Sequence, residues 1–151
     1  MSATQDLARL VIETPASAIS DAVRDKARLI IVDTFGCIVS GAGGKVAEGL
    51  LRYAKMSQSG GDTPILGTSL RASPECAAFV NGSFGHALEF DDVFGMLPGH
   101  PAAVILAAAI SEISRVNTSG ETLTDAFIIG YEACARIGIA MTLEHHRIRG
   151  F

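Results

Sequence analysis

The stretch SPECAAFVNGSFGHALEFDDVFGMLPGHPAAVILAAAI, residues 73–110, decides the fold. Ser73 is a good helix N-cap, and Pro74 suits the first helical position, where its missing N–H costs nothing. The helix predicted from there runs through Cys76, Phe79 and Val80 to about Leu88. Gly82 and Gly85 weaken it, and glycines so placed often mark close packing. A polar segment, Glu89 to Gly99, follows. Pro101 then opens another helix after His100, predicted to reach about Val116. It is apolar nearly all round, which suits a central, buried helix.

Working outward, the dominant period stays helical. Ser2 or Thr4 caps a first helix from Gln5 to about Glu13, ended by Pro15. A second spans about Ser20 to Ser40, with Val23, Ala27, Ile30, Ile31, Thr34 and Ile38 at steps of three and four. Gly41-Ala42-Gly43-Gly44 stops it. A third runs from about Val46 to Met56, and a loop of Ser, Gly and Asp follows. Thr63 to Leu66 reads as a short extended piece, and no strand is predicted with it. Thr118 and Glu121 form a capping-box pattern for a sixth helix, ending near Met141. On it Ala126, Gly130, Cys134 and Gly138 make a small-residue stripe that would let another helix approach. The expectation is an all-α fold of about six helices, residues 1–151 forming a single helical domain.

Composition agrees and excludes several classes. The chain has 151 residues, and a domain commonly has roughly 100–150. Hydrophobic residues make up 48% and charged residues 19%, too apolar a balance for a disordered chain. A net charge of −4 argues against a nucleic-acid binder working through a basic face. The longest strictly apolar run, Ala102 to Ile110, is far short of the about 20 residues that span a bilayer. The N-terminus lacks a basic segment followed by an apolar one, so a cytoplasmic protein without membrane contact is expected. Cys37, Cys76 and Cys134 are odd in number, far apart and in apolar surroundings, which suits buried reduced thiols. Asn117-Thr118-Ser119 matches a glycosylation pattern that would go unused there.

The polar residues least expected from packing fall in one window, His86-Ala-Leu-Glu89-Phe90-Asp91-Asp92 followed by His100-Pro101. Acids against an apolar wall tend to have raised pKa values, which suits proton transfer near neutral pH. Helical spacing puts His86 and Glu89 or Phe90 on one face. His100 sits at a helix start, where free N–H groups and the dipole favour anions, so it could bind a carboxylate or steer a proton. Gly95 and Gly99 give the loop freedom to close over a ligand. The bland alternative is that Asp91 and Asp92 merely end a helix or hold loop backbone. The spacing fits no zinc or calcium motif, so no metal is expected. His145 and His146 read as an exposed pair, and Glu132 with Arg136 as an ordinary surface pair.

Phe79-Val-Asn81-Gly82 through His86 to Asp92, then His100-Pro101, Ser119-Gly120-Glu121 and Gly130-Tyr131-Glu132, together resemble the MmgE/PrpD family. Asp33-Thr34-Phe35-Gly36 extends the similarity to nearly the whole chain. The resemblance implies the N-terminal part of a larger helical domain, with a smaller α+β domain elsewhere in proteins about three times as long. It implies homodimers, no metal or organic cofactor, and small di- or tricarboxylate substrates. The family's chemistry is proton abstraction next to a carboxylate, followed by loss of water, loss of carbon dioxide or reprotonation. Carried over by position, the acid region matches Glu89, Asp91 and Asp92, and the loop histidine matches His100, as catalytic residues. His86, Asn81 and His100 are the expected substrate-binding residues. The family often has Asp where this chain has Glu89, and Thr where it has Val93. Arg149-Gly150-Phe151 resembles the approach to a further family histidine.

Three functional expectations follow. The leading one is a lyase of the 2-methylcitrate dehydratase type. A second keeps the fold and changes the reaction to decarboxylation of a cis-aconitate-like acid or epimerisation of an iminodisuccinate-like one. A third is a non-catalytic helical module that self-associates through uncovered apolar faces.

Overall fold

The computed structural model describes residues 2–57, 60–96, 99–113, 115, 116 and 118–149, without the side chains of residues 142, 143, 145, 146 and 149. The pair His145 and His146 therefore lies outside the described side chains, as do Asn117 and the segment Gly150-Phe151. Six α-helices follow in order: α1 Ala3–Glu13, α2 Asp21–Gly41, α3 Ala47–Met56, α4 Pro74–His86, α5 Pro101–Ile113 and α6 Gly120–Arg149. A two-stranded antiparallel hairpin, β1 Thr63–Pro64 with β2 Arg71–Ala72, lies between α3 and α4. It was expected only as one extended piece.

Local chemistry explains most of the helix starts. Ser2 and Gln5 close a reciprocal capping box on α1. Ser20 caps α2 by accepting from Val23 N–H, and Ser73 caps α4 by accepting from Cys76 N–H, with Pro74 at the first position. The start of α6 differs from the expected Thr118–Glu121 box: Ser119 Oγ accepts from Thr122 N–H at 3.1 Å. Ser119 is the residue whose hydroxyl lies three positions before a free N–H, so the cap shifts by one.

The helix ends depart more. α4 stops at His86, two residues early, and Glu89 adopts a left-handed φ of 54°. α5 ends at Ile113, where Arg115 N–H and Val116 N–H both fold back on Glu112 C=O. α6 runs on past Met141 to Arg149.

The core centres on α4, held between α2 and α5. Ile38, Ile65, Val80, Phe84, Leu106 and Phe127 are its large buried side chains. Gly41 and Gly85 permit the close approach. A Cβ on Gly41 would stand 2.0 Å from Phe84 C=O, and one on Gly85 would stand 2.9 Å from Ala103 Cβ. Gly82 meets only ordinary contacts. α5 buries Ala102, Ala103, Leu106 and Ala107, but Val104 is 68% exposed, so the helix expected to be central shows an apolar face outward. On the stripe of α6, Gly130 faces Ile105 of α5, whereas Ala126 is exposed and Phe127 takes the core position. Arg24 ties α2 to α6 through two bonds to Asp125, at 2.8 and 3.1 Å. No helix among the described residues is long and apolar enough to cross a membrane.

Candidate active site

The early end of α4 builds the site. Left-handed backbone at Glu89 turns the chain back on itself, and Asp91 returns beneath the last helical residue, His86. His86 Nδ1 lies 3.2 Å from both Asp91 carboxylate oxygens. A carboxylate can only accept, so His86 carries its proton on Nδ1 and offers Nε2 as the basic nitrogen. The Asp91 side chain is wholly buried, while that of His86 is half-exposed.

His100 joins them from the other side, at the entry to α5. Its Nδ1 is 3.4 Å from Asp91 Oδ1 without hydrogen-bond geometry, and this buried nitrogen has no hydrogen-bond partner among the described residues. The two imidazole rings stand 4.4 Å apart, tilted by 50°. One buried carboxylate thus lies beside two histidines, one five residues before it and the other nine residues after it. Donor atoms of His86, Asp91 and His100 all fall within 4.8 Å of one another, so these three residues could hold a metal ion.

Asp92 has a different task. Its Oδ1 accepts from Ala102 N–H at 3.0 Å, capping α5 from ten residues upstream. Its Oδ2 accepts from the Tyr131 hydroxyl at 2.7 Å. The Tyr131 ring also meets Phe94 edge-on at 5.9 Å. α6 therefore anchors the acid loop twice. Burial, then the Asp92 hydrogen bond, pushes the Tyr131 phenol above its ordinary value. The loop is pinched by Phe94 N–H donating to Gly99 C=O at 3.3 Å.

The expected residues separate by role. His86, Asp91 and His100 come together, and Asp92 stands behind them. The proposed shared face of His86 with Glu89 or Phe90 does not form, because the helix ends first; Glu89 and Phe90 are exposed. Asn81 is fully buried with its amide occupied: Oδ1 accepts from Leu66 N–H at 2.9 Å and Nδ2 donates to Pro64 C=O at 3.1 Å. It holds the hairpin to α4. Tyr131 is the site residue that sequence reasoning passed over; its signal was its place in the Gly130-Tyr131-Glu132 segment. Glu132 and Arg136 form the expected surface pair at 2.8 Å. Cys37 and Cys76 are buried, Cys134 is partly buried, and all three are free thiols. Burial pushes the Cys37 and Cys134 thiols up, away from the reactive thiolate.

Two shallow recesses flank His86. One is lined by Gly82, His86, His100, Ala103 and Val104, the other by Val46, Leu50, Ser83, His86 and Ala87. A larger groove between α1 and α6, lined by Leu7, Leu10, Ile137, Ala140 and Met141, has no histidine and stands apart from this chemistry.

The cis-aconitate decarboxylase-like protein oryM of Aspergillus oryzae is 30% identical over 145 residues, covering 91% of this chain and 30% of that protein. Cis-aconitate decarboxylase of Aspergillus terreus is 27% identical over 124 residues, covering 79% and 25%. Cis-aconitate decarboxylase of Homo sapiens is 28% identical over 141 residues, covering 90% and 29%. The chain thus spans about 30% of the length of the curated relatives it matches. The MmgE/PrpD N-terminal domain model matches residues 5–151, and the chain belongs to the MmgE/PrpD family.

Proposed function

We propose that this chain supplies the helical, acid–base half of a lyase site acting on a small di- or tricarboxylate. The observation that carries the reading is the buried Asp91 carboxylate between two imidazoles, one with an unpartnered nitrogen at the entry to α5. Proton transfer next to a carboxylate needs a base of near-neutral strength and donors where charge develops. His86, oriented by Asp91, is suited to be the base. His100 is suited to bind the substrate carboxylate or to return the proton. In decarboxylation the bond to the leaving carboxylate breaks, its electrons stay on carbon, and a proton must be delivered there. In dehydration a proton leaves the carbon next to a carboxylate while the hydroxyl departs as water. The same pair serves either reaction.

Decarboxylation of a cis-aconitate-like acid is the reaction to test first, since the relatives carry that name. Dehydration of a 2-methylcitrate-like acid is the second reading, and its support is the likeness to the family as a whole. The test offers a panel of tricarboxylates to the protein at its natural length and follows carbon dioxide release and water loss. His100→Ala is expected to lower turnover of the responding acid by about 10²–10⁴-fold. Equal turnover in the variant would remove His100 from the chemistry, and no response from any acid would count against the lyase reading. The expected homo-oligomer belongs to the same reading, and the molar mass in solution tests it.

A further inference from the structure

We propose that the carboxylate substrate of this site carries an unbranched alkyl arm, and that a groove between α4 and α5 holds the arm. The inference rests on the lyase reading for the head of the substrate and goes beyond it in naming the substituent.

The groove begins at the histidines. Gly82 and Val104 line the recess that His86 and His100 share, and they also line a second recess with Ala78, Phe79, Ser83 and Ala108. The two recesses are therefore one continuous depression. Gly85 stands against Ala103 and Gly82 against Ala107, so α4 and α5 run antiparallel along it. From His86 back to Ala78 the helix rises about 12 Å, which takes an arm of about four to six carbons once the head group is allowed for.

The lining suits an alkyl chain. No charged side chain lines the second recess among the described residues. Its one hydroxyl is already engaged, since Ser83 Oγ donates to Phe79 C=O of its own helix at 2.8 Å. Val104 is 68% exposed and Phe79 54%, and the Phe79 ring meets Tyr53 edge-on at 5.3 Å. Apolar surface left open beside a few convergent polar groups is the make-up of a ligand groove.

Gly82 is an independent observation. A Cβ there would meet Ala107 Cβ at 3.6 Å and Ala103 C=O at 3.8 Å, which are ordinary contacts. Packing therefore does not require glycine at this position, as it does at Gly41 and Gly85, and glycine within a helix costs stability. What it provides is depth in the floor of the groove. The far end is set by Glu112, one turn beyond Ala108 on the same face of α5 and paired with Arg115 at 3.2 Å. An apolar arm should stop short of that charged rim. So remote an arm is bound alike in the ground and transition states, and it acts on KM rather than on kcat.

The test uses the protein at its natural length, with 2-alkylsuccinates from methyl to octyl as calorimetric probes. Affinity is expected to rise about two- to fourfold per methylene up to about hexyl and then to level off. Val104→Asp places a charge in the groove at an exposed position, so the fold is kept. It should lower the ratio of hexyl to methyl affinity by at least about 10-fold. Gly82→Ala fills the floor by one methyl and should shift the ratio in the same direction. In turnover, alkyl-substituted tricarboxylates should show the length trend in KM. Affinity that is absent or independent of arm length would overturn the proposal. So would a length preference that both variants leave intact, since the arm would then lie elsewhere. A Val104→Cys thiol that a maleimide cannot reach in the unliganded protein would overturn it too, because another segment or a second copy would then fill the groove. A missing length trend with short acids still turned over leaves the lyase reading standing. A length trend in binding without turnover of any acid leaves the groove standing and removes the lyase reading.

Discussion

Tyr131, in the middle of α6, donates a 2.7 Å hydrogen bond to Asp92, a residue 39 positions earlier in the acid loop. Because Asp92 also caps α5 two residues after His100, the phenol of one helix sets where another begins. The position of His100 beside Asp91 therefore depends on a contact outside the helix–loop–helix turn.

Removing that hydroxyl should be costly and coupled. Tyr131→Phe is expected to destabilise the protein by about 1.5–3 kcal/mol, the range for a hydrogen bond to a charged group. Asp92→Ala should cost more, since it also frees Ala102 N–H. The double variant should cost less than the sum, because the two changes share one bond. Strictly additive values in urea melts would show that the pair is not coupled.

The same contact gives an alkaline signature. The folded protein raises the Tyr131 phenol above its unfolded value of about 10, so the neutral form is the one that folding favours. Stability from this group is complete below pH of about 10 and is lost as pH rises from there toward the raised folded value. The stability gap between wild type and Tyr131→Phe should be flat up to about pH 10 and shrink above it. A gap that stays constant through the alkaline range would contradict this.

Glu89 separates strain from chemistry. Its φ of 54° is left-handed, a conformation that costs a residue with a Cβ about 1–2 kcal/mol and glycine little. Glu89→Gly is therefore expected to raise stability by up to about 1 kcal/mol, after allowing for glycine's greater freedom when unfolded. If Glu89 acts on substrate, turnover falls in this more stable protein. A lower melting temperature would refute the strain argument.

Two glycines of α2 should respond with opposite sign. Gly41→Ala forces a Cβ into Phe84 C=O, a backbone atom that cannot step aside, and should cost about 1–3 kcal/mol. A Cβ on Gly36 meets nothing within 4 Å, so Gly36→Ala should gain roughly 0.5–1 kcal/mol through helix propensity. Chemical melts of the two variants compare them directly.

Asn81 carries a stability prediction of its own. Asn81→Ala would leave Leu66 N–H and Pro64 C=O without their buried partner, at about 1–3 kcal/mol for each unpaired group. An unchanged melt would mean that the hairpin is held to α4 by other contacts.

Much of this was legible residue by residue. Ser20, Ser73 and Pro74 mark helix starts because capping is local chemistry, decided within four residues. The identity of the acid window was legible too, because polar groups between apolar helices are conspicuous. The ends of α4, α5 and α6 were not. His86 is the last residue of α4 although Ala87 and Leu88 have good helix propensity, and that turn is made by Asp91 returning under His86. The roles within the window were equally hidden: Asp91 and Asp92 are adjacent in the chain, yet one holds the histidines and the other holds Tyr131 and α5.

What the amino-acid order determined by itself was the all-α class, the six helices, the capped starts of α2 and α4, the burial of Cys37 and Cys76 and the family, all of which rest on short-range spacing and on residue types. What only the tertiary structure decided was which polar side chains meet. That outcome depends on the glycine-permitted approach of α2, α4 and α5 and on Tyr131 reaching across from α6. Contacts of this kind join residues tens of positions apart, and their geometry exists only once the helices have packed.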